Sequence, residues 1–184
     1  MKIDILFLNN EMNGHDQYFD NDLFQEYCET HSFEGKKNQI LSVPPSYSKS
    51  ENLTLIVGLG ENKEDINFYD LGTLIGSKIN SDAEIKFLNA VEDTNLIIDG
   101  ILYIQYKFNN YKSKDDSSIN SITFQDLDSS ENEIKKHSVF WVRDLINTPA
   151  LDKSPEEFIN KVRELVDSSG IEAVSYTHLR AHET

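Results

Sequence analysis

Asn52–Val57 (NLTLIV) constrains this chain more than any other segment: it is an almost unbroken apolar run, closed by Gly58-Leu59-Gly60. A strand with one face in water alternates. A continuous run belongs to a strand covered on both faces, as in a parallel sheet. Such a strand needs helices above and below it, and the sequence alternates the two element types. Lys2–Leu8 (KIDILFL) reads as a first strand, and Asn38–Val43 as a short second one stopped by Pro44-Pro45. Ala83–Leu88 and Ser121–Phe124 read as later strands. Helical patterns fall between them. Asn21–Glu29 places Leu23, Phe24 and Tyr27 on one face, and Ile66–Lys78 turns Leu71, Leu74 and Ile75 inward. Asn95–Tyr106 is apolar almost all round and is expected to be buried. Gly72 and Gly76 stand four apart on one helical face. Each costs about 1 kcal/mol against alanine in a helix interior, so a close approach of helix to sheet is expected there.

Two further helices are marked at their ends. Ser130 and Glu133 have the spacing of a capping box, with Ile134, Ser138, Trp141 and Leu145 on a shared face. This helix should stop near Asn147-Thr148-Pro149. The next begins at once, with Ser154 as N-cap, Pro155 at the first helical position and Glu157 at the third, and runs to Gly170 as its stop. Its apolar stripe is Phe158, Ile159, Val162, Leu165 and Val166. The expected organisation is an α/β domain over 1–129, a connecting helix over 130–149, and the start of a second, truncated domain over 150–173.

The last residues, Val174–Thr184, read VSYTHLRAHET and resemble the one-frame translation of a transposase adapter used in sequencing libraries. They are set aside from fold reasoning, and with them the i, i+4 pair His178 and His182. The natural protein is expected to continue past Glu172.

Charge narrows the function classes. Seventeen basic residues face 32 acidic ones, a formal net of −15, and no basic block interrupts the excess. Such a field repels phosphate backbones and anionic membranes, which argues against nucleic-acid binding. The single cysteine, Cys28, builds no disulfide framework and no cysteine-based zinc site, and reads as a small half-buried helix residue. The N-terminal apolar run is too short for a signal peptide and no stretch reaches membrane-spanning length, so a cytoplasmic location is expected.

Several residues invite a sharper reading. Gly58-Leu59-Gly60 stands where phosphate loops occur, between strand and helix, but lacks the third glycine of a dinucleotide fingerprint and is expected to be a structural turn. His15 and His31 lie in polar segments and His137 on the polar side of a helix, so all three are expected in solvent. Asp115-Asp116 and the acidic run Asp126–Glu133 lack calcium-loop spacing and read as solvated charge.

An ordered set of short motifs carries a resemblance. WVRDLINTPA (Trp141–Ala150) resembles the ARDLVNTPAN-like segment of the leucyl aminopeptidase (cytosol aminopeptidase) family, where the N-terminal domain hands over to the catalytic domain. Arg143, Asp144, Leu145, Asn147, Thr148 and Pro149 match it, with Ile146 for valine. LDKSPEEFINKV resembles the helix that follows in that family, and YKFNNYKSK (Tyr106–Lys114), LIVGLGE (Leu55–Glu61) and FEGKKNQ (Phe33–Gln39) resemble upstream segments in the same order. Asn38 replaces the strand-entry glycine, and Asp152-Lys153 depart from the usual Asn-x-Leu region. The resemblance implies a macro-domain-like mixed sheet flanked by helices. It also implies a parent enzyme, typically a hexamer, that releases N-terminal amino acids from peptides with two divalent metals, manganese or zinc. The metal ligands and catalytic arginine belong to an Asn-Thr-Asp-Ala-Glu-Gly-Arg-Leu motif that is not in this chain. No catalytic, cofactor-binding or metal-binding residue is therefore carried over. Arg143, Asp144, Asn147, Thr148 and Pro149 are expected to organise the interdomain junction. Two other functions compete: a free-standing macro-like module binding a nucleotide or ADP-ribose, and an oligomer-assembly domain.

Overall fold

The computed structural model describes residues 1–62, 65–111 and 120–170. By contact the chain divides into two compact units, Met1–Phe140 and Trp141–Thr184. In the first, a five-stranded sheet has the order β2-β3-β1-β4-β5, with β1 Lys2–Asn9, β2 Ile40–Val43, β3 Leu53–Gly60, β4 Ala83–Phe87 and β5 Ile122–Phe124. β1 lies parallel to β3 and β4, and β4 parallel to β5; only the edge strand β2 runs antiparallel, against β3. The apolar run of β3 is thus in an interior strand and buried, as its sequence requires.

The two faces of the sheet carry separate cores. Ile3, Ile5 and Phe7 of β1, Leu55 and Val57 of β3 and Ile85 of β4 pack with α2 (Phe68–Gly76) and α3 (Thr94–Tyr103). Leu6 and Leu8, Ile56, Leu41 and Val43 face the other way, onto Phe19, Phe33 and α1 (Asn21–Thr30). The period-2 alternation of side chains on a strand makes this division.

Several local expectations need correction. On α1 the buried residues are Phe24 and Cys28, while Leu23 is exposed. On α2 Leu71 and Ile75 are buried but Leu74 is not. Gly72 and Gly76 serve helix–helix contact, not helix–sheet contact. A β-carbon at Gly72 would lie 2.2 Å from the Ile97 carbonyl oxygen of α3, and one at Gly100 would lie 2.2 Å from the Tyr69 oxygen of α2. Three glycines let the two backbones touch. α3 is also not apolar all round: Leu96 is exposed, whereas Asp99 is buried.

α4 (Ser130–Asn147) starts one residue earlier than a Ser130 cap would allow. Glu133 N–H donates to the Ser129 carbonyl, and the Asp128 carboxylate accepts from Ser130 N–H at 3.0 Å. The N-cap position is therefore Ser129, with the Asp128 carboxylate one residue before it taking a first-turn amide, and not Ser130 of the expected box. Its buried positions are Asn132 and Phe140, and Ile134, expected to face inward, is exposed. The reason is a polar bolt: Asn132 Nδ2 donates to Asp99 Oδ1 at 2.7 Å and to the Asn95 carbonyl at 3.0 Å. Phe140 packs edge-on to Tyr106 at 5.1 Å between centroids. An amide satisfying a buried carboxylate outweighs the apolar stripe on the neighbouring face.

The second unit, from Trp141, holds the end of α4, a 3-10 turn at Ala150–Asp152 and α5 (Pro155–Ser169). α5 forms as its end signals say. Ser154 Oγ accepts from Glu157 N–H at 3.2 Å, and Gly170 stops the helix in the left-handed conformation with φ 70°. None of its described side chains is buried, and Phe158 and Leu165 are 45% and 49% exposed.

Candidate functional site

The residues expected at a junction lie where α4 ends. The last carbonyls of a helix lack intrahelical donors and must find others. Thr148 supplies two of them to one oxygen: its N–H reaches the Asp144 carbonyl at 3.0 Å and its hydroxyl reaches the same atom at 2.7 Å. Lys153 supplies a third, its ammonium donating to the Leu145 carbonyl at 2.7 Å. A cation at a helix C-terminus also meets the negative end of the macrodipole. Pro149 has no N–H, so the helix cannot continue through it, and it opens the 3-10 turn closed by Asp152 N–H on the Pro149 carbonyl at 3.0 Å. Arg143 and Asn147 lie in the last turns of α4, half-exposed and exposed. Sequence reasoning passed over Lys153 as a departure from a motif. The available signal was a lysine six residues past Asn147, the end of α4.

The two glycine motifs also meet, and they explain each other. Gly58 N–H donates to the Gln39 carbonyl at 2.8 Å, and Asn38 N–H to the Gly58 carbonyl at 3.1 Å. Gly60 N–H donates to the Gly35 carbonyl at 2.9 Å. A β-carbon at Gly58 would sit 2.1 Å from the Lys36 carbonyl oxygen, and one at Gly35 would sit 2.3 Å from the Asn9 oxygen. Gln39 holds the loop by accepting from the Glu34 and Lys36 amides at 2.9 and 3.0 Å. The Gly58-Leu59-Gly60 segment is therefore no turn between strand and helix. It is the last part of β3, where the pairing with β1 skips a residue between Leu8–Gly58 and Asn9–Gly60. The space directly over Gly58 is filled by residues 35–36 of the same chain.

The titratable side chains are occupied locally. His15 is not in solvent as expected: it stacks on Phe24 at 4.6 Å, and its Nδ1 lies 2.5 Å from the Met12 carbonyl. His31 is exposed and stacks on Tyr27, and His137 is exposed on α4. Cys28 is buried, and burial pushes its thiol up to about 11. In the acidic run, Asp128 is held below the usual carboxylate range, first by the Ser130 amide and then by the Ser130 hydroxyl. Among the described residues no three His, Cys, Asp or Glu side chains form a group that could hold a metal ion. Asp115-Asp116, His178, His182 and the adapter-like tail lie outside the described residues. Among the described residues no helix is long and apolar enough to cross a membrane.

Fold and junction together define a class: a mixed five-stranded α/β domain followed by a helix that leads into a second unit. This is the fold found at the N-terminal end of leucine aminopeptidases. The chain superposes on a mutant of tomato leucine aminopeptidase with a TM-score of 0.67 at 13% identity, over 92% of this chain and 40% of that one. It superposes on cytosol aminopeptidase from Coxiella burnetii with a TM-score of 0.66 at 20% identity, over 91% and 36%. The bottromycin maturation enzyme BotP gives 0.69 at 15% identity, over 97% and 39%. In sequence, the chain is 25% identical to a probable cytosol aminopeptidase of Clostridium tetani, over 85% of this chain and 36% of that protein. No protein-family model matches. The resemblance read from the ordered motifs is thus met independently by a curated relative and by solved structures, and the chain spans little more than a third of that relative's length.

Proposed function

We propose that this chain is the non-catalytic N-terminal part of a cytoplasmic, metal-dependent leucyl aminopeptidase, and that it has no peptidase activity of its own. The observation that carries the reading is the coverage: one alignment takes in 85% of this chain and 36% of a probable cytosol aminopeptidase. The parent would release N-terminal amino acids from peptides, using two divalent metals, manganese or zinc, held beyond this chain. By resemblance it would assemble as a homo-oligomer, a hexamer. On this reading 1–129 is the macro-like domain, 130–149 the connecting helix, and 150–173 the first piece of the catalytic domain. The Thr148 and Lys153 contacts would fix the angle at which α4 delivers the chain to that domain. The marked ends of α5 fit the same reading, because an isolated helix of this length is marginal in water and is ordinarily stabilised by packing. The nucleotide-module alternative is disfavoured by the filled space over Gly58.

The test is an assay and a reading of DNA. Purified chain given manganese or zinc should release nothing from a leucyl chromogenic amide. Chelator-sensitive hydrolysis would overturn the non-catalytic assignment. The genomic sequence downstream of the Glu172 codon should encode an Asn-Thr-Asp-Ala-Glu-Gly-Arg-Leu motif, and a frame without it would overturn the parent's identity.

A further inference from the structure

The geometry points to a small-oxyanion site on the α1 side of the sheet, in a cleft of about 310 Å³ that the motifs above do not use. α1 covers only part of this face. Beyond it Lys2 and Asp4 of β1 stand beside their cross-strand partners Glu84 and Lys86 of β4. The cleft is roofed by two loops that are already locked together. Lys49 N–H donates to the Tyr18 carbonyl at 2.8 Å, and the Tyr18 hydroxyl donates to the Leu88 carbonyl at 2.6 Å. Its floor is built as well: Asp4 is 4% exposed, accepting from the Ser50 hydroxyl at 2.5 Å and from Asn52 Nδ2 at 3.2 and 3.3 Å.

The charge of the lining is what points to an anion. The chain as a whole carries −15, yet this cleft is lined by three lysines, Lys2, Lys49 and Lys86, against the one carboxylate of Asp4. Lys2 is shared with Glu84 at 3.4 Å, and the Lys49 ammonium donates to the Asp16 carbonyl at 2.7 Å. The Lys86 ammonium has no hydrogen bond or ion pair among the described residues, and Gln17 and Gln125 line the same space. An unpaired ammonium on a half-buried residue, in a preformed cleft that two glutamines also line, suits a phosphate or carboxylate group, whose bonds to charged donors are the strong ones. The ligand class is a small metabolite bearing such a group. A long polyanion is excluded by the repulsion of the surrounding surface. This inference does not depend on the aminopeptidase reading.

The experiment titrates the full 184-residue chain with inorganic phosphate and, separately, with citrate at low ionic strength, by calorimetry and amide-resolved NMR. The expected result is saturable one-to-one binding of at least one probe, with shifts at Lys86, Lys49–Asn52 and Gln125. Phosphate binding alone assigns a phosphorylated ligand, and citrate binding alone a carboxylate. Lys86→Gln should weaken binding about tenfold with an unchanged circular dichroism spectrum, while Lys86→Arg keeps it, since the cation is what matters. Glu84→Gln, which releases Lys2, should tighten it. Non-saturable shifts spread over other lysines such as Lys36 and Lys37, or equal affinity in Lys86→Gln, would overturn the proposal.

Discussion

α3 and α5 are both apolar-striped helices, and their fates differ. α3 buries six consecutive residues, Ile97 to Leu102, with Gly72 and Gly100 allowing it to lie against α2. α5 has the stronger end signals, a serine cap and a glycine stop, and buries none of its described side chains. Caps and propensity decide that a segment is helical. They add about 1 kcal/mol apiece and say nothing of what the helix packs against. Burial is decided by a complementary surface. For α3 that surface is a groove in α2 shaped by missing β-carbons. α5 leaves its described apolar residues half-buried or exposed.

The comparison can be broken most sharply at the glycines. Gly72→Ala and Gly100→Ala each drive a β-carbon into backbone 2.2 Å away, which cannot move aside as a side-chain tip could. Each should destabilise the chain by about 3 kcal/mol or more, read by urea denaturation, because overpacking against a rigid wall lies at the top of its usual range. A change below about 1 kcal/mol would mean that the two helices are not in contact as described. Asn132→Ala should cost about 2 kcal/mol, since it leaves Asp99 buried without its donor. If the loss is negligible, the orientation of α4 is set by Phe140 and not by the amide.

Truncation after Ala150 sharpens the other side. Removing α5 should change unfolding stability by less than about 0.5 kcal/mol and raise solubility, as an exposed apolar stripe is lost. A loss above about 2 kcal/mol, the size of a genuine core contribution, would assign α5 to the N-terminal domain and move the proposed boundary. The smallest effect concerns Cys28. Its folded pKa of about 11 lies above the ordinary value of 9.0. A thiol raised on folding contributes stability that is complete below the unfolded pKa and is lost as pH rises through the folded one. The melting temperature of the wild-type chain should therefore fall between pH 9 and 11 more steeply than that of Cys28→Ala. At neutral pH the native thiol should be slow toward a disulfide reagent.

Much of this was legible in the residues. The strands, the helical segments and the end of α4 at Asn147 followed from apolar runs, periodicity and proline. Asp144, Thr148 and Pro149 are singled out by their motif, and Thr148 closes the helix as its hydroxyl permits. Lys153 was missed because a long side chain reaching back eight residues leaves no periodic signature. The buried face of α4 was misread because a polar residue, Asn132, is buried there together with Phe140, and pattern rules rank amides as outward. His15 was misplaced for a similar cause: its polar neighbours conceal a ring packed on Phe24.

Alternation, capping and turn chemistry are local, and the sequence alone determined them: an α/β domain with a buried interior strand, then two helices of known extent. Tertiary structure decided which glycine meets which backbone. Gly72 and Gly76 read as seats for a sheet, and Gly58-Leu59-Gly60 as a structural turn, and neither is what the structure has. A glycine announces only that something comes close. What comes close is fixed by contacts distant in the chain, Ile97 over Gly72 and Lys36 over Gly58. Those depend on where whole elements pack, which no short window of residues contains.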